Sequence, residues 1–408
     1  MIMWRKAILR ILSALCLVQP ALADSLRLYI DGDYSVAAQG AEAIELGLRA
    51  ALDESDNQAG GYRIEVLAQD TRLNVRRTER LYQTFAADPQ ALAVFGGVYS
   101  PSYLAMRETI NAEGLLTLLP WSAAGPITRP ADGEENYLFR LSVDDWKAGP
   151  FLVEHAIDHL ACDAIGLVTT DTGWGRSNQT TITSSMEDRQ RSLAFDIVFA
   201  DDLGAASAAE IAQTISDSGA DCMILVAGMP AGALMLSNLA DMPTMPRVIS
   251  HWGILTGAFT EVVTQPQRER LSLQVLQTCG LEAQQDRPEL FRAALSRAGG
   301  EGATLRTIND IPANTGFVHG YDLGRILLAA IDQAVAATDF AALSAAERRQ
   351  AVKAALESLD RPVEGLLKTY DRPFAPMTEG ADAHEALGAE DLCMAKFDGD
   401  ALAPADPG

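Results

Sequence analysis

Positive charge is what this sequence has least of for its length: 32 Lys and Arg stand against 55 Asp and Glu, a formal net charge of −23. So acidic a chain repels phosphate backbones and anionic lipid surfaces, which excludes nucleic acid as a partner. Cysteine is also scarce, five in 408 residues and none spaced C-x-x-C, which argues against a zinc site or a dithiol redox motif. No apolar run reaches the roughly 18 residues that a membrane-spanning helix needs. The sequences G-x-S-x-G, H-E-x-x-H and G-x-x-x-x-G-K-[ST] are all missing, and "AGMPAG" (227–232) lacks the G-x-G-x-x-G spacing. With no nucleophile elbow, metal motif or phosphate loop, the chain reads as a non-enzyme without cofactor or metal. His155 and His159, four apart on a predicted helix, have no acidic or cysteine partner at matching spacing and read as a solvated, helix-stabilising pair. His384, in "DAHEAL", reads as a packing residue.

The first residues carry a pattern of their own. Trp4-Arg5-Lys6 and Arg10 flank the apolar stretch Ile8–Val18, and Ala21-Leu22-Ala23 follows Pro20, so residues 1–23 are expected to be a cleaved signal peptide. Leu15 precedes Cys16 where a lipid-attachment signal has a small residue, so no lipid anchor is expected. Removing this segment takes Arg5, Lys6 and Arg10 but no acid, leaving an exported chain more acidic still. Its length exceeds what one core usually serves and points to two lobes. Cys162, Cys222, Cys279 and Cys393 remain, an even number consistent with disulfides in an oxidising compartment.

The mature chain alternates short β-rich runs with amphipathic runs of helix length. "LRLYI" (26–30) is followed by 36–53, where Ile44, Leu48, Ala51 and Leu52 share a helical face; "YRIEVLA", a helix over 76–87, "LAVFGG", a helix over 102–112 and "LLTLLP" continue the series. This predicts an α/β fold with a doubly wound parallel sheet. After "YLFRLSV" (137–143) the pattern repeats: helix 146–160, "AIGLVTT", a helix from 175, "FDIVFA", a helix from 205, "CMILVAG", a helix from 231, and "RVIS". "LSLQVLQ", the helix "YDLGRILLAAIDQAV", an irregular stretch through "LDRPVEGLLKTYDRPFAPM" and a strand near "LCMAKFDGD" complete the chain, with 401–408 expected to fray. Cys162 and Cys222 stand at the amino ends of the first and third strands of the second series. In the order 2-1-3-4-5 those strands are neighbours, so a disulfide between them is predicted. Cys279 and Cys393 are left for a second pair, without strands that the pattern places side by side.

Open parallel sheets bind ligands beyond the carboxyl ends of their strands, where helix N-termini leave N–H groups free. The loops at those ends are "DGDYS" (31–35), "GGVYSPS" (96–102), "PWSAAG" (120–125), "TTDTGWGRS" (169–177), "AGMPAG" (227–232) and "SHWG" (250–253). Small residues allow close approach of a ligand, and Ser35, Ser100 and Ser122 offer hydroxyls. Trp121, Trp146, Trp174 and Trp252, with Tyr34 and Tyr99, all fall at strand ends or at the lobe junction and predict an aromatic-lined cleft.

In order and spacing, "Q-G" (Gln39, Gly40), "NQAGGYRIEVLAQDT", "VFGGVYS", "DTGWGRS" and "VHGYDLGRILLAAI" resemble the type I periplasmic solute-binding proteins of the leucine/isoleucine/valine-binding kind that serve ABC importers. The resemblance covers essentially the whole mature chain. It implies two Rossmann-like lobes joined by three crossings, placed near 139–143, 249–253 and 366–372, with 24–140 plus 253–366 as one lobe and 141–252 plus 367–400 as the other. It implies a small solute held between the lobes, its carboxylate at the loops of Ser100 and Ser122, with Tyr34, Ser35, Tyr99, Trp121, Ala123, Asp171, Trp174, His251, Trp252, Tyr321 and Asp322 as further candidate contacts. Where branched-chain binders place an acid for the ammonium, this chain has His251-Trp252-Gly253, which opens the choice to an aromatic acid or an amide as well as an amino acid. Asp171 and Asp322 are the acids available instead, Asp322 with the alternative of ordering its own helix. The implied partner is an inner-membrane ABC permease and the implied state a periplasmic monomer. A ligand sensor for a membrane signalling protein and a ligandless activator of a cell-wall enzyme use the same fold and remain open.

Overall fold

The computed structural model describes residues 25–130, 135–300 and 304–405; the expected signal peptide lies outside the described residues. In the first series β1 (Ser25–Gly32), α1 (Ala38–Asp53), β2 (Gln58–Ala59), β3 (Tyr62–Asp70), α2 (Val75–Ala87), β4 (Ala91–Phe95), α3 (Ser100–Ala112), β5 (Thr117–Leu119) and β6 (Leu138–Arg140) follow one another. They form a six-stranded sheet in the order β2-β3-β1-β4-β5-β6, parallel except for the β2–β3 pair.

The second series runs α4 (Asp145–Glu154), β7 (Ile165–Thr170), α5 (Gly173–Asp188), β8 (Phe195–Phe199), α6 (Ala205–Asp217), β9 (Cys222–Val226), α7 (Met229–Ala240) and β10 (Arg247–Ser250). Beyond α8 (Phe259–Val262) and α9 (Gln265–Arg270), β11 (Gln274–Thr278) extends the same sheet. The chain then returns to the first sheet through α10 (Gly280–Asp286), α11 (Pro288–Gly299), α12 (Asn314–Ala337) and α13 (Ala345–Leu356), and makes a small hairpin of β12 (Val363–Glu364) and β13 (Thr369–Tyr370). Finally β14 (Leu392–Asp398) and β15 (Ala401–Pro404) close the second sheet, in the order β15-β14-β11-β10-β9-β7-β8.

Central parallel strands are covered by helices on both faces and so lack alternation: "ALAVF" of β4 and "CMILV" of β9 are buried throughout. Helices α1 and α12 pack through small residues. A Cβ on Gly47 would stand 2.7 Å from the Tyr321 backbone nitrogen, and one on Gly320 3.1 Å from the Ile44 carbonyl carbon. The largest core runs continuously from Leu28 and Phe95 through Phe139 and Leu141 to Leu167 and Ile224, so the two sheets share one apolar interior.

Several expectations are corrected by strand pairing. β11 lies outside the first lobe, where the division at 253 would place it; it pairs with β10 and β14. The second crossing therefore falls after β11, at Cys279–Gly280, and 252–256 is a 3-10 turn on the rim of the second sheet. The third crossing is also later than 366–372. Leu366 and Leu367 are still tied to α12, and it is 384–386 that run beside the first crossing, with Arg140 N–H donating to His384 O and Ala386 N–H to Arg140 O. Residues 401–404 are not frayed: β15 pairs antiparallel with β14, which satisfies its backbone groups. Cys162 and Cys222 form a disulfide with Cα atoms 5.9 Å apart, and β7 and β9 are neighbours. Cys279 and Cys393 form a second, which joins the second crossing to the start of β14 just after the third.

Candidate functional site

Between the carboxyl ends of the two sheets lies a cavity of about 190 Å³. Its wall takes Val36 and Ala37 from the loop after β1, Leu73 after β3, Val98–Pro101 after β4, and Trp121 and Ala123 after β5. The facing wall takes Thr172 and Trp174 after β7, Asp201 after β8, Gly228–Ala231 after β9, and Trp252, Gly253 and Thr256 after β10. An engineered space of about 150 Å³ already admits benzene, so this one has room for a single substituted ring.

On the first-sheet side, buried hydrogen bonds hold the wall. Gly97 N–H donates to Tyr103 Oη (2.5 Å), whose hydroxyl donates to Asp31 Oδ2 (2.8 Å). Ser122 donates to Gly97 O (2.8 Å), and Ser100 Oγ accepts from Ala124 N–H (3.3 Å). Asp33 accepts from Leu73 N–H (2.7 Å) and Thr71 Oγ1 (3.1 Å), fixing the loop that carries Leu73. Burial raises the Asp31 carboxyl above its ordinary value, and burial together with the charge of Asp31 pushes Asp33 up to about 7.

On the second-sheet side the indoles rest on a buried polar group. Trp174 Nε1–H donates to Asp145 Oδ1 (3.3 Å), and His251 Nε2 approaches the same oxygen at 3.2 Å without hydrogen-bond alignment. The His251 ring meets Trp174 edge-on at 5.1 Å and Trp252 at 4.7 Å. Asp145 is fully buried, which raises its carboxyl, and its Oδ2 has no protein partner; nor does Asn178 Oδ1. Asp145 N–H donates to Ala123 O (2.9 Å), tying the start of α4 to the loop after β5. Gly253 is required here: a Cβ would stand 2.6 Å from the Trp174 ring.

Of the residues expected at the site, Tyr99, Ser100, Trp121, Ala123, Trp174 and Trp252 are on the wall. Others are elsewhere. Tyr34 turns away and donates to Glu45, and Ser35 is exposed and bonds Asp70. Ser122 is buried behind the loop, and His251 is covered by the indoles it was expected to stand beside. Asp171 is exposed and paired with Arg176 (2.5 Å). Tyr321 donates to Glu54 (2.5 Å), while Asp322, expected either at the ligand or ordering its own helix, does neither: from within α12 it accepts from Leu366, Leu367 and Tyr370 and so holds the hairpin segment beyond α13. Trp146 is 46% exposed, outside the cleft, beneath the Arg129 guanidinium. Asp201 and Met229 were missed, although the strand-end rule that found "AGMPAG" also covers "ADDLG" after β8.

Among the described residues the one cluster with metal-ligand types is Cys279, Glu282 and Cys393, and its sulfurs are joined in a disulfide. No described helix is long and apolar enough to cross a membrane.

A family model described as "Periplasmic binding protein" matches residues 29–393. A search of curated proteins found no match. Among solved structures, the leucine-binding protein LivK of Thermotoga maritima is similar over 93% of this chain and 97% of its own (TM-score 0.73, 12% identity). A solute-binding protein of an R. palustris ABC transporter in complex with 4-hydroxybenzoate is similar over 94% and 96% (0.72, 16%). Another, in complex with benzoate, is similar over 94% and 95% (0.71, 17%).

Proposed function

This chain belongs to the periplasmic binding protein family, type I, of the leucine-binding kind, and from that premise we propose that it captures a small ring-bearing solute between its lobes for an inner-membrane ABC importer. The family implies an extracytoplasmic, solute-binding protein. The observation that carries the ring is the wall itself, where Tyr99, Trp121, Trp174 and Trp252 converge on a space of about 190 Å³. Flat aromatic faces supply apolar area and ring-on-ring contact that a branched aliphatic side chain uses less well. Two similar proteins hold benzoate and 4-hydroxybenzoate, which supports the same ligand shape. Export through the leader at 1–23, a periplasmic location, a monomeric state and the absence of catalysis belong to this reading.

The test is a thermal-shift screen of the mature protein against aromatic acids, aromatic amides, amino acids and polyols. A ligand that binds only the folded state raises Tm with its concentration, by about 2.7 kcal/mol of stability at a hundredfold excess over Kd. A dose-dependent shift from ring compounds supports the proposal. A shift confined to aliphatic amino acids removes the ring, and none from any solute favours a ligandless activator.

A further inference from the structure

Resting on the reading of this cavity as the solute site, we infer that Asp145, from behind the wall, is a positioning residue of the site, its carboxylate fixing how the Trp174 indole is turned towards the solute. Asp145 opens α4, Trp174 lies in the first turn of α5 and His251 follows β10, so three elements far apart in sequence meet at one carboxylate. Its Oδ1 accepts from Trp174 Nε1–H (3.3 Å) and stands 3.2 Å from His251 Nε2. The Asp145 and His251 side chains are fully buried and off the wall, whereas Trp174 and Trp252, both in edge contact with the His251 ring, are on it. The backbone of Asp145 is itself held: its N–H donates to O of Ala123, a residue of the first-sheet wall (2.9 Å), and its carbonyl accepts from Thr181 Oγ1 of α5 (3.1 Å).

Packing alone does not account for an acid at this place. Asp145 Oδ2 has no protein partner, nor has Asn178 Oδ1, and a buried carboxylate with an unmatched oxygen destabilises the fold where an apolar side chain of similar volume would not. What the carboxylate can do and an apolar residue cannot is accept the indole N–H. An indole has a single donor on an otherwise apolar plate, so an acceptor held at one point chooses its rotation. The opposite end of the ring is confined as well: a Cβ on Gly253 would stand 2.6 Å from Trp174 Cη2. Tied at Nε1 and bounded at Cη2, the indole presents one fixed face and edge to the cavity, and a solute then binds without having to order it.

Variants of the mature protein test this in two readouts. In the free protein, near-ultraviolet circular dichroism of Asp145→Ala is expected to lose the indole bands that Trp174→Phe also loses, and Asp145→Asn, which keeps an oxygen for the indole N–H, is expected to retain them. In calorimetric titrations with benzoate and with benzamide, Asp145→Ala is expected to bind about tenfold more weakly than the parent, and Asp145→Asn to stay within about threefold of it. Trp174→Phe removes the N–H itself, so adding it to Asp145→Ala should weaken binding by no more than about twofold beyond the weaker single variant. Unchanged indole bands in Asp145→Ala, or losses of affinity that add in the double variant, overturn the inference. Asp145→Asn binding as weakly as Asp145→Ala overturns it too, because the charge and not the acceptor would then matter. Should Asp145→Ala not fold, Asp145→Ser, whose hydroxyl ends one bond short of the carboxylate oxygens, takes its place in each comparison. If the spectra behave as expected while no ring compound raises the Tm of the parent protein, the ring reading falls and the holding of Trp174 by Asp145 stands.

Discussion

At the scale of single residues, the two serines expected to hold a ligand have different roles. Ser122 is buried and donates to Gly97 O, bracing the β4 loop, so Ser122→Ala should cost about 1 kcal/mol of stability, read from denaturant unfolding. Its effect on affinity should be small. Trp174→Ala, by contrast, removes a wall indole and should weaken binding by about 1–3 kcal/mol by calorimetry. Unaltered affinity would show that the indole only closes the sheet. Asp33 gives a pH signature. Burial and Asp31 raise its folded pKa to about 7, so its native form holds a proton that the unfolded chain releases from about pH 4 upward. The contribution is therefore greatest at low pH and is lost as pH rises towards 7. Asp33→Asn, which keeps an oxygen for Leu73 N–H, should show a smaller fall in Tm across that interval than the parent protein. An identical pH profile would show that Asp33 ionises normally.

At the scale of elements, glycine fixes how closely α1 and α12 approach. Gly47 and Gly320 face the partner helix's backbone, which cannot shift as a flexible side chain tip can. Gly320→Ala should therefore destabilise by about 1–3 kcal/mol despite the better helix propensity of alanine. A gain in thermal stability would disprove the close packing. The Cys162–Cys222 bridge closes a loop with a sequence separation of 60, at the amino ends of β7 and β9 and away from the cavity. Its loss through Cys162→Ser with Cys222→Ser should cost about 2–4 kcal/mol in unfolding while leaving ligand affinity unchanged. Reduced affinity in a fully folded variant would show that the bridge also sets the cleft.

On the scale of the molecule, the two sheets are joined where β6, the stretch 384–386 and the β11–α10 junction run close together. His384 stacks on Phe139 at 3.8 Å, and Cys279 N–H donates to Asp391 O. The second disulfide lies at this junction, and the cavity opens on the strand ends beyond it. Trp121 belongs to one wall, Trp174 and Trp252 to the other, so a bound ring should touch indoles from both sheets. Titration with a binding solute should therefore change intrinsic fluorescence, and Trp174→Ala with Trp252→Ala should remove most of the change. A full change in the double variant would place the reporter at Trp121, on the first-sheet wall, or at Trp146, outside the cleft.

What the sequence by itself determined is whatever depends on local period and neighbouring residues. The alternation of apolar runs with 3.6-residue faces marked the β and α elements, and strand order followed closely enough to pair Cys162 with Cys222. The strand-end rule also found the loops carrying Tyr99, Ser100, Trp121, Trp174 and Trp252. Only the tertiary structure decided which side chains in those loops face the cavity. Within "YS" of 34–35 both turn towards acids of their own lobe, and within "HW" of 251–252 the indole takes the wall while the histidine is buried beneath it against Asp145. The crossings moved for a related reason. β11 carries an apolar run that either sheet could bury, and its place beside β10 depends on β14, more than a hundred residues later, supplying its other edge. Hydrogen bonds between distant segments leave no periodic mark in either segment alone, so they become visible only when the chain has folded.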